Sequence, residues 1–122
     1  MLRCLIVDDS AVIRKMIKNI LNNIGVESIE AENGLKALEQ CNLNQLDFII
    51  LDWNMPEMNG FEFLKAFRKE TKWQNIKVIF CTTENSLDNI QQAITNGADE
   101  YVMKPFDEEI IKAKLIQIGL LS

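Results

Sequence analysis

Five polar residues in this sequence have types and positions that together suit phosphoryl chemistry: Asp8, Asp9, Asp52, Thr82 and Lys104. Each sits at the end of a short β-rich run. Leu2–Val7 precedes the paired acids, Phe48–Leu51 precedes Asp52, Ile76–Cys81 precedes Thr82, and Glu100–Met103 precedes Lys104. Three carboxylates brought within a few ångströms repel one another and raise each other's pKa. A hard divalent cation relieves that repulsion. Mg²⁺ prefers oxygen ligands and keeps several waters, so two carboxylates and a backbone carbonyl suffice to hold it. Mn²⁺ is expected to substitute. Such a cation neutralises phosphoryl oxygens, the Lys104 ammonium contacts another, and the Thr82 hydroxyl donates to a third. The nucleophile is then a carboxylate, and the product an acyl phosphate.

Singly, these residues are weak signals. An Asp-Asp pair after a strand can be a cap or a turn, a strand-end threonine a structural hydroxyl, and a lysine before proline a surface residue. Their conjunction depends on the elements that carry them. Apolar runs of strand length alternate with stretches of helical period along the whole chain. Ser10 is a candidate N-cap for a helix through Ile13, Met16, Ile17, Ile20, Leu21 and Ile24, with Gly25 as its stop. Val26–Ala31 reads as a second strand, and Asn33-Gly34 turns into a helix through Leu35, Leu38 and Cys41. A loop with Pro56, Asn59 and Gly60 leads to a helix through Phe61, Leu64 and Phe67. Ser86 is expected to cap a helix running to Asn96-Gly97, and Asp107 a last one through Ile110, Ile111, Leu115 and Ile118.

Five βα units without a linker or repeat, expected to make one domain over residues 1–122, require parallel strands and right-handed crossovers. The expected fold is α/β: a doubly wound, five-stranded parallel sheet of flavodoxin-like (βα)5 type with strand order 2-1-3-4-5. Ligands in such sheets bind at the carboxyl edge, where the strand order reverses. The first and third strands flank that reversal. Asp8, Asp9 and Asp52 are therefore expected to converge there, with Thr82 and Lys104 alongside.

Composition narrows the function classes. The chain has no histidine, which removes Ser-His-Asp and Cys-His catalysis and means that any phosphohistidine must come from another protein. Its three cysteines lack C-x-x-C spacing and read as reduced structural thiols. A net charge of −5 without a basic cluster argues against nucleic-acid binding. No apolar run approaches the roughly 20 residues of a membrane span, and the N-terminus lacks signal-peptide features. A cytoplasmic location without membrane insertion is expected.

The segments Leu5-Ile6-Val7-Asp8-Asp9-Ser10, Leu51-Asp52-Trp53-Asn54-Met55-Pro56-Glu57-Met58-Asn59-Gly60, Cys81-Thr82-Thr83-Glu84 and Tyr101-Val102-Met103-Lys104-Pro105-Phe106 resemble the receiver domains of two-component response regulators, most of all the single-domain CheY-like type of chemotaxis. The resemblance spans essentially the whole chain. It implies a switch that catalyses only its own phosphorylation and self-dephosphorylation. Asp52 matches the phosphoacceptor; Asp9, Asp52 and the backbone carbonyl of Asn54 match the metal ligands, and Asp8 the acid that reaches the metal through water. Thr82 matches the switch hydroxyl, Tyr101 the rotating aromatic, and Lys104 the phosphate-binding lysine, its bond to Pro105 being cis in the family. Where the family usually carries Ala or Gly, this chain has Thr83, which would narrow the approach of water or a phosphodonor and so bears on rates. Thr83 is also a second hydroxyl, but the interval from Asp52 to Lys104 favours Thr82 as the switch.

The implied partners are a sensor histidine kinase or histidine phosphotransfer protein as donor, and a protein target. The target is expected at helix four, strand five and helix five, with Leu87, Ile90, Ile94, Tyr101, Met103, Phe106 and Lys114 as candidate contacts. The spacing of Leu87, Ile90 and Ile94 fits a buried stripe equally well. A stand-alone receiver is expected, with a receiver excised from a larger regulator as the alternative. An aspartate-nucleophile phosphohydrolase of the haloacid dehalogenase type would place a second acid where Asn54 stands, and Asn54 cannot shuttle a proton. A flavin carrier on the same fold would need a hydroxyl- and glycine-rich phosphate loop where this chain has Asp8-Asp9.

Overall fold

The protein is described by a computed structural model for residues 1–82 and 87–122. Its strands are β1 (Arg3–Val7), β2 (Glu27–Ala31), β3 (Phe48–Asp52), β4 (Lys77–Thr82) and β5 (Glu100–Met103). They pair in parallel in the order β2-β1-β3-β4-β5, as the alternating pattern requires. The helices are α1 (Ala11–Asn23), α2 (Gly34–Leu43), α3 (Gly60–Arg68), α4 (Leu87–Thr95) and α5 (Glu108–Gln117).

Successive strand residues face opposite sides of the sheet, and the core divides accordingly. Cys4 and Ile6, Phe48 and Ile50, Ile79 and Cys81, and Val102 pack with Ile17 and Leu21 of α1 and Ile111 and Leu115 of α5. Leu5 and Val7, Ile49 and Leu51, and Val78 and Phe80 pack on the other side with Ala37 and Cys41 of α2, Phe63, Leu64 and Phe67 of α3, and Ala93 of α4. β3 is buried along its whole length and delivers Asp52 at its end. Burial on both faces explains why these strands read as continuous apolar runs.

Side-chain caps fix where several helices leave the carboxyl edge. The Ser10 hydroxyl accepts from the Ile13 amide at 3.3 Å, immediately after the paired acids. Asn33 accepts from the Lys36 amide at 2.8 Å. Asn59 and Glu62 form a reciprocal capping box at the start of α3. Asp107 accepts from the Ile110 amide at 3.0 Å. The cap expected at Ser86 lies outside the described residues, as do Thr83 and Glu84.

The structure differs from the sequence reading in several places. β1, β2 and β4 each begin one residue later than expected. A 3₁₀ turn at Thr71–Trp73 was not anticipated; it stacks Trp73 on Phe67 at 5.0 Å. On α2 the buried residues are Gly34, Ala37 and Cys41, and Leu35 is exposed. Gly34 and Ala37 face the core in its place, beside Leu38 and Cys41, which pack there as expected.

Candidate functional site

The ends of β1 and β3 bring Asp8, Asp9 and Asp52 together: one carboxylate oxygen from each lies within 4.8 Å of the others. Asp8 and Asp52 are buried, and Asp9 is exposed. Asp8 is held on every side. Its amide donates to the Ala31 carbonyl at 3.1 Å, and its Oδ1 accepts from the Ser10 amide at 2.9 Å. Its carbonyl accepts from Arg14 Nη1 at 2.6 Å, and its Oδ2 accepts from Lys104 Nζ at 2.8 Å. Lys104 also reaches Asp52 Oδ1 at 3.1 Å, so one ammonium bridges two buried carboxylates.

The electrostatics follow from that arrangement. Burial pushes the Asp52 carboxyl above its ordinary value, and the Asp8 charge adds to the shift; Lys104 opposes both but does not cancel them. For Lys104, burial pulls the ammonium's pKa down, yet its bonds to Asp8 and Asp52 outweigh burial and hold it above normal. Lys104 therefore stays charged beside a strained carboxylate. The thiols play no part in this chemistry: burial drives Cys4 and Cys81 upward and Cys41 to about 12, so all three stay protonated.

The donor set suits a hard cation. It is all oxygen, carries excess negative charge with one exposed member, and contains no sulfur or imidazole. Asp9 and Asp52 supply carboxylate oxygens. Asn54 lies two residues beyond Asp52 and the end of β3, in an exposed position of the loop that leads to α3.

Thr82 is buried at the end of β4. The register pairs Asp52 with Cys81, which leaves Thr82 one step beyond the acid. The Thr82 carbonyl accepts from the Lys104 amide at 2.8 Å. Tyr101 is half-buried on β5 opposite Phe80, two pairs short of the Thr82–Met103 pair, and Lys114 Nζ lies 5.0 Å from its ring centroid. The Lys104-Pro105 peptide is cis.

On the expected output face, α4 buries only Ala93 among its described residues. Leu87 is 80% and Ile94 43% exposed, so the three α4 positions are not a core stripe. Phe106 requires a correction. It is only 7% exposed and packs with Val102, Ile111 and Leu115 against the α1/α5 side, where burying its ring favours the core over the surface. Sequence reasoning also missed Arg14, the partner of the Asp8 carbonyl, and Gly34, discussed below. An arginine one turn beyond a cap carries no signal of its own.

A five-stranded parallel sheet in this order, with acids and a lysine at its carboxyl edge, defines a doubly wound receiver-type protein. The chain belongs to the response regulator receiver domain family, whose family model matches residues 4–116. It is 39% identical over 116 residues to chemotaxis protein CheY1 of Helicobacter pylori, covering 93% of this chain and 94% of that protein. It is 36% identical over 118 residues to chemotaxis protein CheY of Pseudomonas aeruginosa, covering 96% and 95%. Among solved structures, chemotaxis protein CheY4 of Vibrio cholerae matches with a TM-score of 0.91 and 36% identity over 97% of this chain and 98% of that one. The protein is thus a two-component response regulator receiver. The family is a phosphorylatable switch and not a conventional enzyme, with Mg²⁺, a histidine kinase donor and protein targets as its general associates. No helix among the described residues is long and apolar enough to cross a membrane.

Proposed function

We propose that Asp52 is the phosphoacceptor of a cytosolic, chemotaxis-type switch. A carboxylate oxygen of Asp52 bonds to phosphorus as the phosphorus–nitrogen bond of the donor's phosphohistidine breaks, and the imidazole, protonated from solvent on its other ring nitrogen beforehand, leaves as the neutral ring. Hydrolysis later reverses the state: water attacks phosphorus and inorganic phosphate departs. The donor is a sensor histidine kinase or a histidine phosphotransfer protein, since this chain has no histidine of its own.

Mg²⁺ or Mn²⁺, when bound, neutralises charge on the phosphoryl oxygens. Asp9, Asp52 and the Asn54 carbonyl would hold it, with Asp8 acting through water. Lys104 moves from the Asp52 oxygen to a phosphoryl oxygen and keeps its bond to Asp8. Thr82 donates its hydroxyl to the phosphoryl group, Tyr101 turns inward, and the population shifts between two packed states. α4, β5 and α5 carry the output, with Leu87, Ile90, Ile94, Tyr101, Met103 and Lys114 as contacts.

The observation that carries this reading is the single ammonium shared by Asp8 and Asp52 beside exposed Asp9. Intact-mass analysis after incubation with acetyl phosphate tests it. One phosphoryl group is expected on the native chain, only with Mg²⁺ or Mn²⁺ present, and none on Asp52→Asn. Equal labelling of the variant would overturn the assignment.

A further inference from the structure

We propose that Gly34 is a positioning residue for the cation and phosphoryl site, acting through the loop that follows Asp52. This rests on the function proposed above and extends it to α2, which touches neither the cation nor the phosphoryl group in that reading.

Gly34 opens α2, where glycine costs helix stability relative to alanine, so its presence calls for a reason. The reason is a close approach. A Cβ at this position would lie 2.5 Å from Met58 Cγ, 2.8 Å from its Cβ and 2.8 Å from its main-chain oxygen. These contacts are shorter than carbon atoms tolerate. Since one is backbone, rotating the Met58 side chain cannot relieve them all. The Gly34 amide also donates to the Met58 carbonyl at 3.2 Å. Met58 is itself half-buried against the α2/α3 core and cannot swing clear.

Met58 belongs to the loop between β3 and α3, which is closed at three points. The Gly60 amide donates to the Trp53 carbonyl at 2.9 Å, and the Met58 amide donates to the Pro56 carbonyl at 2.7 Å. Gly60 is seated so closely on the Asp52 carbonyl that a Cβ there would collide with it. Asn54, the main-chain ligand in the proposed site, lies between these closures. Glu57, next to Met58, adopts a left-handed φ of 67°, which leaves the loop little slack. A side chain at Gly34 must therefore push on Met58, and the closures transmit that push toward Asn54 and Asp52.

The test is calorimetric titration of the phosphodonor-free protein with MgCl₂, with melting followed in parallel. Gly34→Ala is expected to weaken Mg²⁺ binding by about 10-fold, the lower end of what displaced supporting residues cost a metal site. Gly25→Ala is the control. Gly25 has φ 80° but open space around it, so this variant loses stability through backbone strain and keeps native affinity. Adding Met58→Ala to Gly34→Ala removes the shortest contact and recovers part of the binding. Met58→Ala alone leaves α2 intact, collides with nothing, and still weakens binding by loosening the same seat. If Gly34→Ala does not fold, this single variant decides. Native affinity in both Gly34→Ala and Met58→Ala, or equal loss in Gly25→Ala, overturns the positioning role. Failure of the native protein to bind millimolar Mg²⁺ would instead overturn the cation reading of the site.

Discussion

Replacing Lys104 by methionine isolates what the bridging ammonium does. The Asp8 and Asp52 side chains are 3% and 11% exposed, so water cannot readily take the lysine's place. Removing one partner of a buried ion pair costs about 3–5 kcal/mol, because the other charge is left uncompensated. The Lys104 side chain retains 15% exposure, and some solvent can follow it in, so the lower end applies, about 3 kcal/mol. At roughly 4 °C per kcal/mol for a domain of this size, the melting temperature should fall by about 12 °C near neutral pH without metal.

The pH dependence has a definite sign. The Asp52 carboxyl already lies above its ordinary value in the folded protein. A carboxyl raised on folding penalises the native state above its folded pKa, and the penalty is relieved as pH falls through that value. Lys104→Met removes the largest influence that opposes the shift and leaves only the Trp53 main-chain hydrogen bond against it, so its cost should be large at about pH 7.5 and shrink by about pH 4.5. Magnesium should restore stability by mass action, by about 2.7 kcal/mol at a hundredfold excess over Kd. Scanning calorimetry at the two pH values, with and without MgCl₂, reads all of this. An equal loss under every condition would show that the ammonium's charge does not offset the Asp8 and Asp52 carboxylates and would refute the reasoning.

Two further predictions follow from the same geometry. Asp9→Ala removes an exposed member of the acid cluster, so the metal-free melting temperature should rise by a few degrees, about 1 kcal/mol or less, and the Mg²⁺-induced increase should vanish in the same melts. Thr82→Ala and Tyr101→Ala, phosphorylated to the native extent, should each lose most of the phosphorylation-dependent gain in affinity for a target, about 1 kcal/mol or more, measured by calorimetric binding; native-like gains in both would refute the proposed route.

The sheet and its acid edge were legible because parallel topology leaves little choice. Once the first and third runs are buried parallel strands, Asp8 and Asp52 must emerge side by side at the reversal, and Lys104 must emerge at the same edge. The different burial of Asp8 and Asp9 was not legible in the same way: both sheet faces are covered, so alternation does not separate them, and Asp8 is buried through its bonds to Ser10 and Lys104. Phe106 was misplaced because the segment after Pro105 has no periodicity to indicate which way a side chain turns. The burial of Gly34 on α2 was hidden for a different reason: it depends on Met58 seating against Gly34, residues 24 apart in sequence. Arg68 was equally invisible. It donates to the carbonyls of Gly97, Trp73 and Ile76 and to Asp99, tying α3 to the amino edge of β4 and the turn before β5. Long side chains that satisfy main-chain carbonyls leave no pattern in the residues around them.

Alternation also constrains how a signal can leave Asp52. Asp8, Asp52 and Lys104 continue the strand phase that faces α1 and α5, the phase of Ile6, Ile50 and Val102. Thr82 and Tyr101 continue the opposite phase, that of Phe80, which faces α2, α3 and α4. The two sets are therefore joined across the sheet at its carboxyl rim, where Thr82 extends one residue past the Asp52–Cys81 pair and its carbonyl holds the Lys104 amide. The strands beneath are packed on both sides and cannot deform continuously. In the proposed switch the phosphoryl group and Lys104 are then sensed on one face, and the response is a side-chain rearrangement on the other. Thr82 provides the crossing, because its backbone is fixed to Lys104 while its side chain follows the phase of Tyr101. The exposed apolar residues of α4, Leu87 and Ile94, belong to the helix packed on that second face, so a change there can alter a protein contact without unfolding the core.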